Sequence, residues 1–116
     1  MQTGATLILI AAVVAGGRGL ARAASVEHGR AIAATNCAAC HAIDRSGASP
    51  YPKAPPFRTL GRSYPVEDLA ESLAEGIVTG HRNMPQYQLS AADADDLIAY
   101  LQGIQPSPPA DPPTAR

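Results

Sequence analysis

The sequence predicts a small all-α domain of three main helices joined by a long proline-rich loop. Three segments after residue 23 carry apolar residues at helical spacing. That part of the sequence contains no run of alternating β-branched residues that would predict a strand. Residues 42–64, between the first and second helices, contain so many prolines and glycines that they predict a loop.

The first 23 residues have the pattern of a secretory signal peptide. Residues 5–15 are continuously apolar but too short to span a bilayer comfortably, and Ala21-Arg22-Ala23 is a small-x-small cleavage pattern. As a departure from the usual signal, no Lys or Arg precedes the apolar stretch. We expect residues 1–23 to direct export and to be cleaved before Ala24, leaving a periplasmic protein without a membrane segment. An uncleaved signal would anchor the protein to the membrane.

The first predicted helix leads into the two cysteines of the chain. Ser25 is a good N-cap for residues 26–36, and Gly29 weakens that helix, which indicates a close packing contact or a chance weakness. Directly after it comes Cys37-Ala38-Ala39-Cys40-His41, the C-x-x-C-H signature of c-type haem attachment. Two thiols at this spacing can reach the two vinyl groups on one edge of a porphyrin. The histidine that follows can then bind the iron.

Other interpretations of the motif need residues that the chain lacks. Structural zinc sites and iron–sulfur clusters use four ligands, whereas Cys37 and Cys40 are the only cysteines in the sequence. Zinc could at best add His41 with His28 or His81. A thioredoxin-like dithiol needs strands alternating with helices. A metal site and a redox dithiol stay open, but haem attachment explains the spacing best.

The second helix is predicted to follow the proline-rich loop. Pro65 is expected as its first residue, because proline needs no hydrogen-bond partner there. Leu69 and Leu73, four positions apart, would form its buried face. Gly76 is its expected end.

The third helix has the clearest signals. Ser90 is expected as its N-cap and Gly103 as its end. Beyond it, residues 105–116 are rich in proline and predict a flexible tail. The folded domain is therefore expected to span residues 24–104.

Length and charge restrict the possible functions. The 116 residues suit a single domain, and removing residues 1–23 takes away Arg18 and Arg22 but no acid, so the net charge falls from −1 to −3. No basic patch indicates nucleic acid as a partner. With one phenylalanine and no tryptophan, such a chain would form a marginal core unaided, and a buried haem would supply the missing apolar mass.

A methionine is a candidate for the second iron ligand. Met84 is followed by Pro85 on the loop before the third helix, and it is the only methionine left after signal removal. A thioether is a soft, weak donor that favours ferrous iron and raises the reduction potential. His81 is the rival ligand, and it would give a bis-histidine haem. His28 is a weaker candidate because it precedes the haem-binding turn.

With three helices, the C-x-x-C-H motif after the first and Met84-Pro85 before the last, the chain resembles class I cytochromes c over roughly residues 25–104. The resemblance implies one haem c bound covalently through Cys37 and Cys40, with His41 and Met84 as axial ligands. It also implies that a small residue in the first helix, Gly29, lets the last helix approach.

The resemblance extends to the proline-rich loop. The family's Gly-Pro-x-Leu corresponds to Ala54-Pro55-Pro56-Phe57. It implies that the Pro55 carbonyl accepts a hydrogen bond from the His41 imidazole, with Pro56 as the alternative, and that Phe57 contacts the haem. The anionic haem propionates need hydrogen-bond donors. Arg58 and Arg62 are the first candidates for this role, and Lys53 and Arg82 are the alternatives.

The implied function is electron transfer rather than catalysis. The chain would be an exported, monomeric monohaem carrier of single electrons between redox proteins, with no substrate site because both axial positions are filled. One alternative is a dedicated electron-accepting subunit of a periplasmic dehydrogenase or oxidase. Another is a haem sensor in which a small gas displaces Met84.

Overall fold

The computed structural model describes residues 21–76 and 83–107. Within them the chain forms helices and no strand, which confirms the all-α prediction. The α-helices are α1 (Val26–Asn36), α2 (Leu69–Glu75) and α3 (Ala91–Ile104), and two short 3-10 helices cover Phe57–Arg62 and Val66–Asp68. Residues 1–20 of the predicted signal peptide and residues 108–116 of the predicted tail lie outside the described residues.

α1 and α3 cross in close contact at Gly29. A Cβ atom added there would lie 1.9 Å from the carbonyl oxygen of Asp96 in α3. No real side chain tolerates that distance, so only glycine lets the two helices approach this closely. The packing explanation for Gly29 is therefore the correct one.

The hydrophobic core lies along the inner face of α3. Leu97, Leu101 and Ile104 are buried there, and the buried Tyr100 hydroxyl donates a hydrogen bond to the carbonyl oxygen of Ile43 at 2.8 Å. α2 packs against the same helix. The other members of the core are Ile32, Ala33, Ile43, Phe57, Val66 and Ile98.

The start of α2 differs from the prediction. Pro65 is extended, with ψ 128°, so it precedes the helical region instead of opening it. Its carbonyl oxygen accepts a hydrogen bond from the amide of Asp68 at 3.1 Å, which winds Val66–Asp68 as a 3-10 turn before α2 begins. Gly76 ends α2 at φ 77°, where the sequence predicts the end.

Two further boundaries differ. The predicted loop contains the 3-10 helix Phe57–Arg62. The last proline before it is Pro56, and each of the next six residues has a backbone N–H that can donate a hydrogen bond. α3 continues through Gly103 to Ile104, whose side chain is buried. The Gln105 side chain holds that end, since its amide group bonds the carbonyl oxygens of Phe57 and Leu101 at 2.9 and 2.8 Å. None of the helices in the described part of the chain is long and apolar enough to cross a membrane.

Candidate haem site

The C-x-x-C-H motif forms a tight turn at the end of α1. The amide of Cys37 bonds the carbonyl oxygen of Ala33 at 2.9 Å, so the helical bonding extends by one residue. The amides of Cys40 and His41 both bond the carbonyl oxygen of Cys37, at 3.1 and 2.9 Å. These backbone bonds fix the three side chains relative to one another, with both thiols half-buried.

The His41 ring is held by the proline-rich loop. Its Nδ1 lies 2.8 Å from the carbonyl oxygen of Pro55. Because a carbonyl only accepts, Nδ1 carries the proton, which leaves Nε2 as the nitrogen available to a metal. The Phe57 ring lies 4.9 Å from the imidazole, centre to centre, and the Phe57 amide bonds the carbonyl oxygen of Ala42 at 2.9 Å. The structure thus brings Pro55 and Phe57 to His41.

These residues border two adjoining cavities of about 390 and 360 Å³. Cys37, His41 and Met84 line both of them, and Cys40 lines the second. The first cavity is mainly apolar, which suits a flat hydrophobic cofactor. Its aliphatic lining consists of Ile32, Leu60, Leu69, Leu73, Leu89, Leu97 and Leu101.

Met84 belongs to a stretch without helix that precedes α3. We call residues 83–89 the Met84 segment. Met84 itself is half-buried. Among the described residues, three hydrogen bonds tie the segment to the rest of the chain: Asn83 Nδ2 to Tyr51 Oη at 3.1 Å, Gln86 Nε2 to the Gly76 carbonyl oxygen, and the Leu89 amide to the Leu73 carbonyl oxygen at 2.8 Å. The rival ligand His81 lies outside the described residues.

The four basic side chains proposed as propionate donors differ in their positions relative to the cavities. Lys53 lines the second cavity, whereas Arg58 and Arg62 are absent from the described linings of both. Arg62 is exposed. Arg58 is half-buried, and its buried Nη1 finds no hydrogen-bond partner among the described residues. Arg82 lies outside the described residues. Arg58 therefore offers a donor that still needs an acceptor, and Arg62 is not brought to the site.

The sequence matches the cytochrome c family over residues 26–105. The chain belongs to the cytochrome c family. Cytochrome c-552 of Bradyrhizobium diazoefficiens is 30% identical to it over 99 residues, which cover 85% of this chain and 93% of that protein. The cytochrome bc1 complex cytochrome c subunit of Corynebacterium diphtheriae is 31% identical over 90 residues, or 73% of this chain and 29% of that protein. No solved structure gives a significant match.

Membership confirms the prediction of a covalently bound haem c, and an electron-carrying role follows from the family. The residues of this cytochrome c fit that cofactor on two counts. A histidine with one ring nitrogen engaged lies beside two cysteines, and a largely apolar cavity adjoins them.

The geometry disfavours the dithiol interpretation of the motif. Burial raises the pKa of the Cys37 thiol to about 11, whereas a reactive thiol in a redox C-x-x-C motif has a lowered pKa. Among the described residues, the ligating groups that approach within 4.8 Å of one another are those of His28, Asp93 and Asp96. Cys37, Cys40 and His41 do not form such a group with one another or with other described residues, and His81, the other candidate zinc ligand, lies outside the described residues.

His28 lies at the other end of α1, where its Nδ1 is 2.7 Å from Asp96. Sequence reasoning missed Asp96, although a carboxylate inside the apolar third helix was a signal that could have revealed it. It also missed the bond between Tyr51 and Asn83. No sequence signal joins those two residues, since they are 32 positions apart.

Proposed function

We propose that this cytochrome c is an exported, monomeric monohaem protein that carries single electrons between redox proteins, with His41 and Met84 as the iron ligands. One observation carries the proposal: His41, with Nδ1 engaged by Pro55, lines the same two cavities as Cys37 and Met84. A haem c bound there supplies the Fe(II)/Fe(III) couple that accepts and releases one electron.

Each residue has a distinct task in this proposal. Cys37 and Cys40 form the thioether links, and His41 Nε2 binds the iron while the Pro55 carbonyl keeps the ring oriented. The Met84 thioether, a soft ligand, favours the ferrous state. Arg58 lines neither cavity, but its buried Nη1 lacks an acceptor among the described residues and would donate to an anionic propionate. With His41 and Met84 both bound to the iron, no open coordination position would be left for a substrate, so the proposed role is electron transfer without enzymatic activity.

Export is supported by residues 1–23. Their apolar stretch and the Ala21-Arg22-Ala23 pattern suit cleavage before Ala24 and a periplasmic protein. A domain of residues 24–104 follows, and then a proline-rich tail of residues 105–116, whose first residue, Gln105, is hydrogen-bonded to the domain. Haem attachment in the family also takes place outside the cytoplasmic membrane. The partners in this proposal are redox proteins, and the weak net negative charge favours neither nucleic acid nor a strongly charged docking face.

The decisive experiment is the mass and absorption spectrum of protein made in a host with haem-maturation machinery. We expect one covalent haem and, in the ferric state, the weak sulfur-to-iron charge-transfer band of a methionine ligand. Met84→Ala should lose that band, whereas His28→Ala should keep it because His28 bonds Asp96 away from the cavities. A measured mass that lacks one covalent haem would contradict the proposal. A band that is missing from the haem-loaded protein itself would move the sixth ligand from Met84 to His81.

Carbon monoxide separates the carrier from the gas sensor. We expect the ferrous protein to bind it poorly at neutral pH, because Met84 keeps the sixth position. Ready binding would show a labile sixth ligand and favour the sensor.

A second candidate function is that of a dedicated cytochrome subunit of a larger redox complex. The observation that favours it is the match to the Corynebacterium relative, whose name places it in a bc1 complex and of which this chain covers 29%. Haem staining of native gels distinguishes the two roles. A small species in the periplasmic fraction supports the free carrier, and a haem band inside a large complex supports the subunit.

A further inference from the structure

Asp96 is a buried carboxylate that the haem site does not use. Its side chain is 0% exposed and lies on α3 where α1 crosses. Oδ1 accepts a hydrogen bond from the amide of Ser25 at 2.6 Å, and Oδ2 lies 2.7 Å from Nδ1 of His28. Burying a carboxylate is unfavourable unless a positive charge compensates it.

Arg22 supplies that charge before the signal peptide is cleaved. Its Nη1 and Nη2 lie 3.2 and 2.9 Å from the two oxygens of Asp96, a paired geometry that suits guanidinium and carboxylate. The Arg22, Ser25 and His28 hydrogen bonds hold the pKa of Asp96 well below its usual range. The other charged group near the site is Asp93, 3.7 Å from His28. Of these side chains, only Arg22 carries a permanent positive charge.

The proposed export removes this partner. Cleavage before Ala24 takes Arg22 away with the signal peptide, but the same cleavage creates an α-ammonium group on Ala24. That group precedes the Ser25 amide by one residue, or about 3.8 Å of chain. Because the Ser25 amide is 2.6 Å from Asp96, the new cation forms within reach of the buried carboxylate.

We propose that Asp96 is the binding site for the α-ammonium group that signal-peptide cleavage creates at Ala24. The inference rests on the proposed export. Arg22 compensates the carboxylate in the precursor, and the amino terminus replaces it in the mature protein. The negative charge of Asp96, at the crossing of α1 and α3, is therefore compensated both before and after cleavage of the signal peptide.

Binding to a carboxylate raises the pKa of the α-ammonium group above the value of about 7.7–8.0 for a free amino terminus. A group whose pKa is higher in the folded state than in the unfolded state stabilises the folded state at pH values below its unfolded-state pKa. That contribution disappears as the pH rises through the folded value. The mature protein should therefore lose this stabilisation above about pH 8.

The test measures how fast an amine-acylating reagent labels the amino terminus of the mature holoprotein as a function of pH, read by mass spectrometry of the terminal peptide. Lys53, the only lysine in the sequence, is the internal reference. At pH 8 we expect the wild-type terminus to react about fivefold more slowly than that of Asp96→Asn, which corresponds to a pKa difference of about one between the two termini. Asp93→Asn is the matched control, since Asp93 forms no hydrogen bond with described residues 22–25, and should change the rate less than about twofold.

Equal pH profiles in the wild type and Asp96→Asn would overturn the inference. If Asp96→Asn does not fold, the wild-type profile decides, and a terminus with an ordinary pKa of about 7.7–8.0 overturns it. A mature chain that still contains Arg22 also overturns it. The mass of the same sample reports the haem separately, so a haem-loaded protein with an ordinary terminus contradicts this inference alone. A sample without haem contradicts the proposed function.

Discussion

The two candidate iron ligands are held in very different ways. His41 belongs to a turn with its own backbone hydrogen bonds, its ring is fixed by the carbonyl of Pro55, and the helix before it is locked against α3 at Gly29. Met84 is half-buried in a segment that three described hydrogen bonds connect to the rest of the chain, two of them from side chains.

This difference predicts which of the two candidate ligands is released first. A hydrogen bond contributes about 1 kcal/mol net, so a segment held by three of them opens far more readily than a turn backed by a helix crossing. We therefore expect mild stress to release Met84 while His41 and the covalent haem stay in place. The mutations below test this contrast on each side, in order of decreasing effect.

Gly29→Ala should have the largest effect, because it acts on the frame behind His41. The new methyl group would lie 1.9 Å from the Asp96 carbonyl oxygen, so α1 and α3 must separate. We expect a loss of about 3 kcal/mol in the free energy of unfolding, measured by denaturant titration of the holoprotein.

Gly103→Ala is the matched control, since nothing lies within 4 Å of the added Cβ and the position is helical. It should stabilise the protein by about 0.5 kcal/mol. Equal stability of the two variants would contradict the close crossing of α1 and α3.

Met84→Ala should change the spectrum more than the fold. Because Met84 is only half-buried, its truncation should cost about 2 kcal/mol or less. The charge-transfer band should vanish, carbon monoxide should bind faster and the reduction potential should fall, while the haem stays covalently attached. A band that persists in this variant would show that the sulfur of Met84 is not the ligand.

Local signals made much of the fold predictable. Ser25 begins α1 through a side chain that accepts from the His28 amide at 3.2 Å, and Ser90 begins α3 in the same way through Asp93 at 3.1 Å. Such caps act over three residues, so they are visible in the sequence. The fixed spacing of Cys37, Cys40 and His41 is equally local.

The features that sequence reasoning missed depend on contacts between distant residues. α3 passes its predicted end because Ile104 is buried and Gln105 bonds Phe57, 48 positions earlier. Asp96 depends on Ser25, 71 positions away. Neither contact leaves a periodic or capping pattern in the sequence. A carboxylate in the third helix could mark Asp96 as unusual, but only the folded chain shows that Ser25 is its partner.

Tyr100→Phe tests the region around His41 with a smaller expected loss of stability than Gly29→Ala. The lost hydroxyl leaves the carbonyl of Ile43, two residues after His41, without its 2.8 Å donor, which should cost about 1.5 kcal/mol in unfolding free energy. Burial raises the pKa of Tyr100, so its stabilising effect is present below about pH 10 and disappears as the pH rises through the folded value. The variant should lose this alkaline dependence and keep the charge-transfer band. A weakened band would contradict the separation of the two sides.

Tyr51→Phe should have the smallest effect on stability and act on Met84 alone. It removes the acceptor of the 3.1 Å bond from Asn83, the residue next to Met84, and so loosens the Met84 segment by about 1 kcal/mol. One kcal/mol favours opening about fivefold, so the charge-transfer band should disappear at a lower denaturant concentration than in the wild type. Tyr64→Phe is the control, because Tyr64 also lines a cavity but its hydroxyl has no hydrogen bond among the described residues. Equal shifts in both variants would show that the Tyr51 hydroxyl does not hold the segment, and the contrast would then depend on Gln86 and Leu89 alone.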